Sequence, residues 1–211
     1  MKAPTQADLV QTLQAEGIRN ERVLAAFRRV PRASFVPPGL ERRAYEDVPL
    51  PIPHEQVTTQ PSLVARILEA LELVGSERVL EVGTGLGFQT ALLARLAAFV
   101  WSVERFDDLA ETARAGLAGH GVRNVEVVAG DGSAGLPARA PFDAILVSAA
   151  HPRVPPPLAE QLASRGRLVQ PIGHGGHEEV VIFDRGARGL VRRRVVTGAH
   201  FVRLHGRHGF P

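Results

Sequence analysis

The sequence predicts an α/β protein: a doubly wound, mostly parallel Rossmann-like sheet with an N-terminal helical segment and a C-terminal antiparallel strand region. Three observations lead there. From Arg78 onward short apolar runs alternate with stretches of helical spacing, the pattern of repeated β-α-β units. A glycine-rich turn, Glu81-Val82-Gly83-Thr84-Gly85-Leu86-Gly87, sits where the first of those runs gives way to the first helix. From Val180 to Leu204 helical spacing is absent, and Arg185 to Gly189 reads as a turn between two strands.

The elements follow in order. Thr5-Gln6-Ala7-Asp8 has the form of a capping box before Leu9 and Leu13, and Gly17 stops that helix. A second helix begins near Asn20, buries Val23, Leu24 and Phe27, and must end before Pro31. Pro31 to Pro61 is proline-dense and aperiodic, so it is expected to be irregular. It still carries Phe35, Val36, Tyr45, Leu50 and Ile52, and a long loop with that apolar content usually packs on something and carries function. Pro61 opens a helix whose face holds Leu63, Val64, Ile67, Leu68 and Leu71, with Gly75 closing it. Strands are then expected at 78–82, 99–103, 125–128, 144–147 and 167–170, with helices at 88–98, 107–119 and 157–166. Strands at 180–183 and 190–196 complete the sheet as an antiparallel edge. This divides the chain into residues 1–75 for the helical and loop segment, 76–176 for the ligand-binding core, and 177–211 for the closing strands and tail.

With 211 residues, 45% hydrophobic and 22% charged, one catalytic domain is expected. No run approaches the roughly 18 apolar residues of a membrane span. Met1 to Val10 carries one lysine and no signal-like apolar stretch, and the chain has no cysteine for disulfides or thiolate chemistry, so the cytoplasm is the expected compartment. The pI of about 10.4 suggests nucleic acid, yet the formal charge is only +3, and Lys2 is the single lysine among arginines that do not titrate in the working range. A nucleic-acid or membrane partner is therefore not expected, and the expected state is a monomer.

Glycines at the turn after a buried strand let a ligand lie against main-chain atoms, although such a loop also occurs as a plain turn. Glu104 ends the next strand, where a carboxylate can accept from both hydroxyls of a ribose; taken alone it reads better as a solvated strand end. Gly130-Asp131-Gly132 follows the third strand at the same edge, either as an acceptor for an adenine amino group with Gly132 leaving room for the ring, or as an Asp-Gly turn. Three such features on successive strands point to an adenosine cofactor. Phe88 stands where a dinucleotide fold wants glycine, and no lysine follows the loop, which disfavours NAD and ATP. Val79 to Gly87 resembles motif I of the S-adenosylmethionine methyltransferases. That resemblance implies S-adenosylmethionine as cofactor, S-adenosylhomocysteine as product, and cofactor contacts by Glu81, Gly83, Thr84, Gly85, Gly87, Gln89, Glu104, Arg105, Asp131 and Gly132, with Glu81 matching the cationic sulfonium.

For the methyl acceptor, Ser148-Ala149-Ala150-His151 lacks the Asn/Asp-Pro-Pro-aromatic signature of nucleic-acid amino-methyltransferases, and a cytosine C5 enzyme would need a cysteine. Phe35-Val36-Pro37, Ala44 to Asp47, Leu50-Pro51-Ile52, His54 to Pro61, Gly83 to Gln89, Gly130-Asp131-Gly132, Ala140 to Asp143, Ala149-Ala150 and Gln161-Leu162 resemble the protein-L-isoaspartate O-methyltransferases. Gln56-Val57-Thr58-Thr59-Gln60-Pro61 aligns with the family's Gln-Thr-Ile-Ser-Gln/Ala-Pro, with Val57 in place of a hydroxyl residue. Phe201 to Leu204 departs from its usual Val-Pro-Leu. The resemblance implies methylation of the carboxylate of L-isoaspartyl residues in damaged proteins and peptides, Thr59 as the active-site hydroxyl, and His54, Val57, Thr58, Ala149, Ala150 and Val202 as substrate-side residues. Blander readings remain for several of these: a helix-capping group for Thr59, a solvated loop residue for His54, simple packing for Ala149 and Ala150. No metal site is expected, since His174 and His177 lack a third ligand nearby, and Arg192 to Arg194 reads as strand-face charge. The alternatives are a methyltransferase of RNA or a small molecule, and a non-catalytic protein that binds the cofactor.

Overall fold

In the computed structural model, which describes residues 3–211, helices α1 (Gln6–Ala15), α2 (Glu21–Arg29) and α3 (Pro61–Ala70) precede the main sheet. The capping box is present: Thr5 accepts from the Asp8 amide while Asp8 reaches back to the Thr5 backbone. After α3 come β3 (Arg78–Val82), α4 (Phe88–Leu96), β4 (Phe99–Glu104), α5 (Asp107–Gly119), β5 (Val125–Ala129), β6 (Phe142–Val147), α6 (Pro156–Gln161), β7 (Leu162–Ile172), β8 (Glu178–Gly186) and β9 (Gly189–Ala199). Seven strands form one sheet in the order β5-β4-β3-β6-β7-β8-β9. The pairs from β5 to β7 are parallel, and β7-β8-β9 are antiparallel. The order reverses direction between β3 and β6, so their carboxyl ends frame the crevice where open α/β sheets bind ligands.

Two expectations need correction. The helix expected to run to Gly166 ends at Gln161, and Leu162 already pairs with Phe142 in β7 before the register shifts to Ala144–Arg167. Gly166 is part of that bulge, where an added Cβ would lie 2.9 Å from the Ala163 carbonyl oxygen and the Leu162 side chain. The segment from Pro31 to Pro61 is also not wholly irregular. It contains the hairpin β1 (Leu50–Ile52) and β2 (Gln56–Thr58), whose three-residue strands are too short to show a period.

A buried arginine organises this segment. Arg32 is 1% exposed, and its guanidinium donates to the carbonyls of Ala44, Glu46 and Val48 and to Thr58 Oγ1 at 2.9–3.0 Å. Burial lowers its pKa to about 10 against the opposing pull of Asp47 and Glu46, which leaves it charged at neutral pH. Chain without regular structure must satisfy its carbonyls somehow, and one guanidinium meets three of them here. Arg32→Met should leave those oxygens unpaired and lower stability by about 3 kcal/mol or more, read from the urea midpoint at constant m-value. A loss under about 1 kcal/mol would contradict the role.

Candidate functional site

The glycine loop between β3 and α4 turns upward through Gly83, Gly85 and Gly87, whose φ values are 97°, 55° and 93°. All three lie in the left-handed region that side chains resist, which explains the residue choice. Gly87 has a second reason: a Cβ there would touch Ala113 and Leu117 of α5 at 3.4–3.5 Å. Beside the loop opens a cavity enclosing about 970 Å³, part of it open to solvent. Val57, Thr58, Thr59, Gly83, Thr84, Gly85, Gln89, Glu104, Arg105, Gly132, Ala149 and Val202 all line it.

Glu104, at the end of β4, is buried. Its Oε2 accepts from the Gly85 amide at 2.8 Å and its Oε1 from the Phe106 amide at 3.2 Å. It therefore ties the glycine loop to the neighbouring strand and faces the cavity with lone pairs to spare. Glu81 does not line the cavity. It lies fully buried beneath the loop, where Gln89 Nε2, Thr90 Oγ1 and Ser102 Oγ donate to it at 2.8, 2.5 and 2.6 Å. Burial raises its pKa to about 7 against those three hydrogen bonds, with repulsion from Glu104 adding to the rise.

Asp131 also stands outside the lining. Its carboxylate accepts from the Ser133 amide and hydroxyl and from the Arg207 amide, anchoring the C-terminal tail. Burial opposes its ionisation, but these bonds hold its pKa below the ordinary value. Gly132 does line the cavity, and a Cβ there would sit 2.4 Å from Val82 Cγ1. Ala150 is withdrawn as well: its amide donates to Val202 O and its carbonyl accepts from the Leu204 amide, so the chain's own tail occupies that backbone edge. His54 is in the turn of the β1-β2 hairpin with φ 61°, stacked on Phe106 at 4.0 Å and 2.9 Å from Asp108, so it fixes the hairpin without lining the cavity.

An open trough adjoins the cavity, bounded by the start of α3, Pro49 and the stretch Thr197 to Val202. Val57, Thr59, Ser148 and Val202 line both spaces. Thr59 is not the cap of α3. Asp47 serves the helix start, accepting from the Ser62 amide and the Gln60 side chain, while the Thr59 hydroxyl has no partner among the described residues. Sequence reasoning missed Ser148, Phe106 and the tail residues Arg203 to His205 on the cavity wall. Ser148 was within reach, being the first residue past a strand end; the tail was not, because nothing local tells where it folds back. Among the described residues there is no group of three or more potential metal ligands, and no helix is long and apolar enough to cross a membrane.

A doubly wound sheet with a glycine loop, an acid closing the next strand and a cavity opening onto a trough defines a methyltransferase of the Rossmann-like class. The family model for protein-L-isoaspartate(D-aspartate) O-methyltransferase matches residues 4–209, and the chain belongs to that family. It is accordingly a repair enzyme that methylates isoaspartyl carboxylates in proteins. It is 48% identical over 199 residues to the protein-L-isoaspartate O-methyltransferase of Methanoregula boonei, spanning 94% of this chain and 91% of that one. It is 52% identical to its counterpart in Anaeromyxobacter dehalogenans, spanning 93% and 95%. A solved protein-L-isoaspartate O-methyltransferase superposes with TM-score 0.86 at 29% identity, over 97% of this chain and 67% of that one. A Plasmodium falciparum structure in complex with S-adenosyl-L-homocysteine superposes with TM-score 0.82 at 21% identity, over 96% of this chain and 99% of that one.

Glu104→Ala removes both the loop tether and the lone pairs presented to the cavity. Calorimetry should find S-adenosylhomocysteine bound more weakly by about 1.5 to 3 kcal/mol. Unchanged affinity in a folded variant would take Glu104 out of the site.

Proposed function

We propose that the cavity binds S-adenosylmethionine and that Thr59 presents the isoaspartyl carboxylate to it from the trough. The fit is supported by acceptors on the cavity wall. Ser102 donates to Glu81, so at 2.5 Å it must accept from Thr84, a residue of the cavity lining whose hydroxyl proton is thereby spent. Gln89 spends its nitrogen on Glu81 and Ser148, so it offers the cavity no donor. Acceptors without donors suit a cationic ligand. Glu104 would accept from ribose hydroxyls, Gly83 and Gly85 would let the ligand approach main chain, Gly87 lies outside the lining and faces α5, and Gly132 would leave room on the adenine side. The bound cofactor supplies an activated methyl on a sulfonium.

The chain's own part is alignment and exclusion of water. A carboxylate is ionised near pH 7 and needs no strong general base to become a nucleophile. Val57 and Val202 keep the threshold between cavity and trough apolar, which strengthens the attraction between the opposite charges that cancel during transfer. The observation that carries the reading is the unpartnered Thr59 hydroxyl at that threshold. An open trough beside the cavity favours a polypeptide acceptor over a small molecule.

The test offers labelled S-adenosylmethionine with two peptides that differ only in Asp versus isoAsp. Base-labile label should enter the isoaspartyl peptide alone, and equal labelling of both would overturn the reading. In the same assay Thr59→Ser should keep most activity, whereas Thr59→Val should cut turnover by about a hundredfold, roughly 2.7 kcal/mol of transition-state stabilisation. A near-parental rate in folded Thr59→Val would remove Thr59 from the chemistry.

A further inference from the structure

Ser148 is the first residue after β6, and with Thr59 it is one of two hydroxyl side chains lining both the cavity and the trough. The polarity of its hydrogen bond is set from below. Gln89 Nε2 lies 2.8 Å from Glu81 Oε1 and 2.8 Å from Ser148 Oγ. Gln89 Nε2 faces both groups, as it must while Glu81 is ionised and can only accept, so Ser148 Oγ accepts in that state. The Ser148 amide is used by the Val82 carbonyl. Its hydroxyl proton has no acceptor among the described residues. The β-carbon is backed by the glycine loop, since a Cβ on Gly83 would lie 3.2 Å from it. Ser148 is therefore a donor held in place from behind and unspent in front.

We propose that Ser148 is the second donor to the substrate carboxylate, so that Thr59 and Ser148 grip the acceptor from two sides of the threshold. The inference rests on the isoaspartyl reading. A carboxylate has about four lone-pair sites, so two can be held by hydroxyls while another faces the methyl group. Two fixed donors orient the group, whereas one leaves it free to swing about a single hydrogen bond. The arrangement also selects for an anion: a carboxamide in the same place would turn its own N–H groups toward donors.

Ser148→Ala removes the donor and leaves a smaller side chain in a lined cavity, and thermal unfolding confirms that the variant is folded. With isoaspartyl peptide, kcat/KM should fall about tenfold or more, the loss expected for a hydrogen bond to a charged group, with KM rising. Affinity for S-adenosylhomocysteine, measured by calorimetry, should stay within about twofold of the parent. Two results overturn the assignment: an unchanged kcat/KM, or a cofactor affinity that falls by the same factor as kcat/KM, which would make Ser148 a cofactor contact. The parent run alongside separates the claims. A parent that labels isoaspartyl peptide selectively beside an unaffected Ser148→Ala condemns only the role of Ser148. A parent that labels aspartyl and isoaspartyl peptides equally overturns the substrate reading and the two-point grip together.

Discussion

The carboxylate of Glu81 lies fully buried on β3, and the polarity of the site above it depends on that one group. It accepts from Gln89, Thr90 and Ser102 and donates nothing while ionised. Each donor is thereby committed. Ser102 then accepts from Thr84, which spends that hydroxyl's proton inward, and Gln89 presents its nitrogen to Ser148 and leaves its carbonyl oxygen unpartnered among the described residues. The wall toward the cofactor becomes rich in acceptors, and the threshold toward the substrate keeps donors. A buried charge without a cationic partner is costly, and here its worth lies in directing hydrogen bonds instead of in stability.

The second constraint is geometric. The N-terminal segment and the tail both fold back over the carboxyl edge of the sheet, so the site has walls from distant parts of the chain. Arg32 holds the former by its carbonyls, and Asp131, with Ser133 Oγ accepting from the His208 amide, holds the latter. Val57 and Thr59 reach the threshold from one side and Val202 from the other. A sheet edge alone would bind the cofactor; these two flanks add the trough.

Much of this was legible in the residues. Helical and strand periods located every main-sheet strand, and the glycines and Glu104 marked the cavity, because turn chemistry and burial are local properties. What escaped depended on partners far along the chain. The bulge at Gly166 looked like a helix stop, since glycine serves both. The resemblance to motif I implies a ligand contact for Glu81 and the position after a strand suggests one for Asp131, but neither tells which distant neighbours consume a carboxylate's lone pairs. Arg32 gave no signal at all. An arginine after a proline reads as surface charge until the carbonyls it serves, twelve to sixteen residues away, are brought around it.

Ionised Glu81 is costly to bury at neutral pH, and that cost can be measured. Its folded pKa is raised from 4.5 to about 7, so between those values the folded chain holds a proton that the unfolded chain has released. Stability should therefore fall as pH rises through that window, with a contribution approaching about 1.4 kcal/mol per pH unit, and level off above it. Glutamine at this position cannot titrate. Urea unfolding of the parent and of Glu81→Gln from pH 5 to 8 should show the parent losing stability relative to the variant up to about pH 7 and running parallel to it beyond. Parallel curves across the whole range would mean that the fold does not raise the Glu81 pKa and that its buried charge carries no cost.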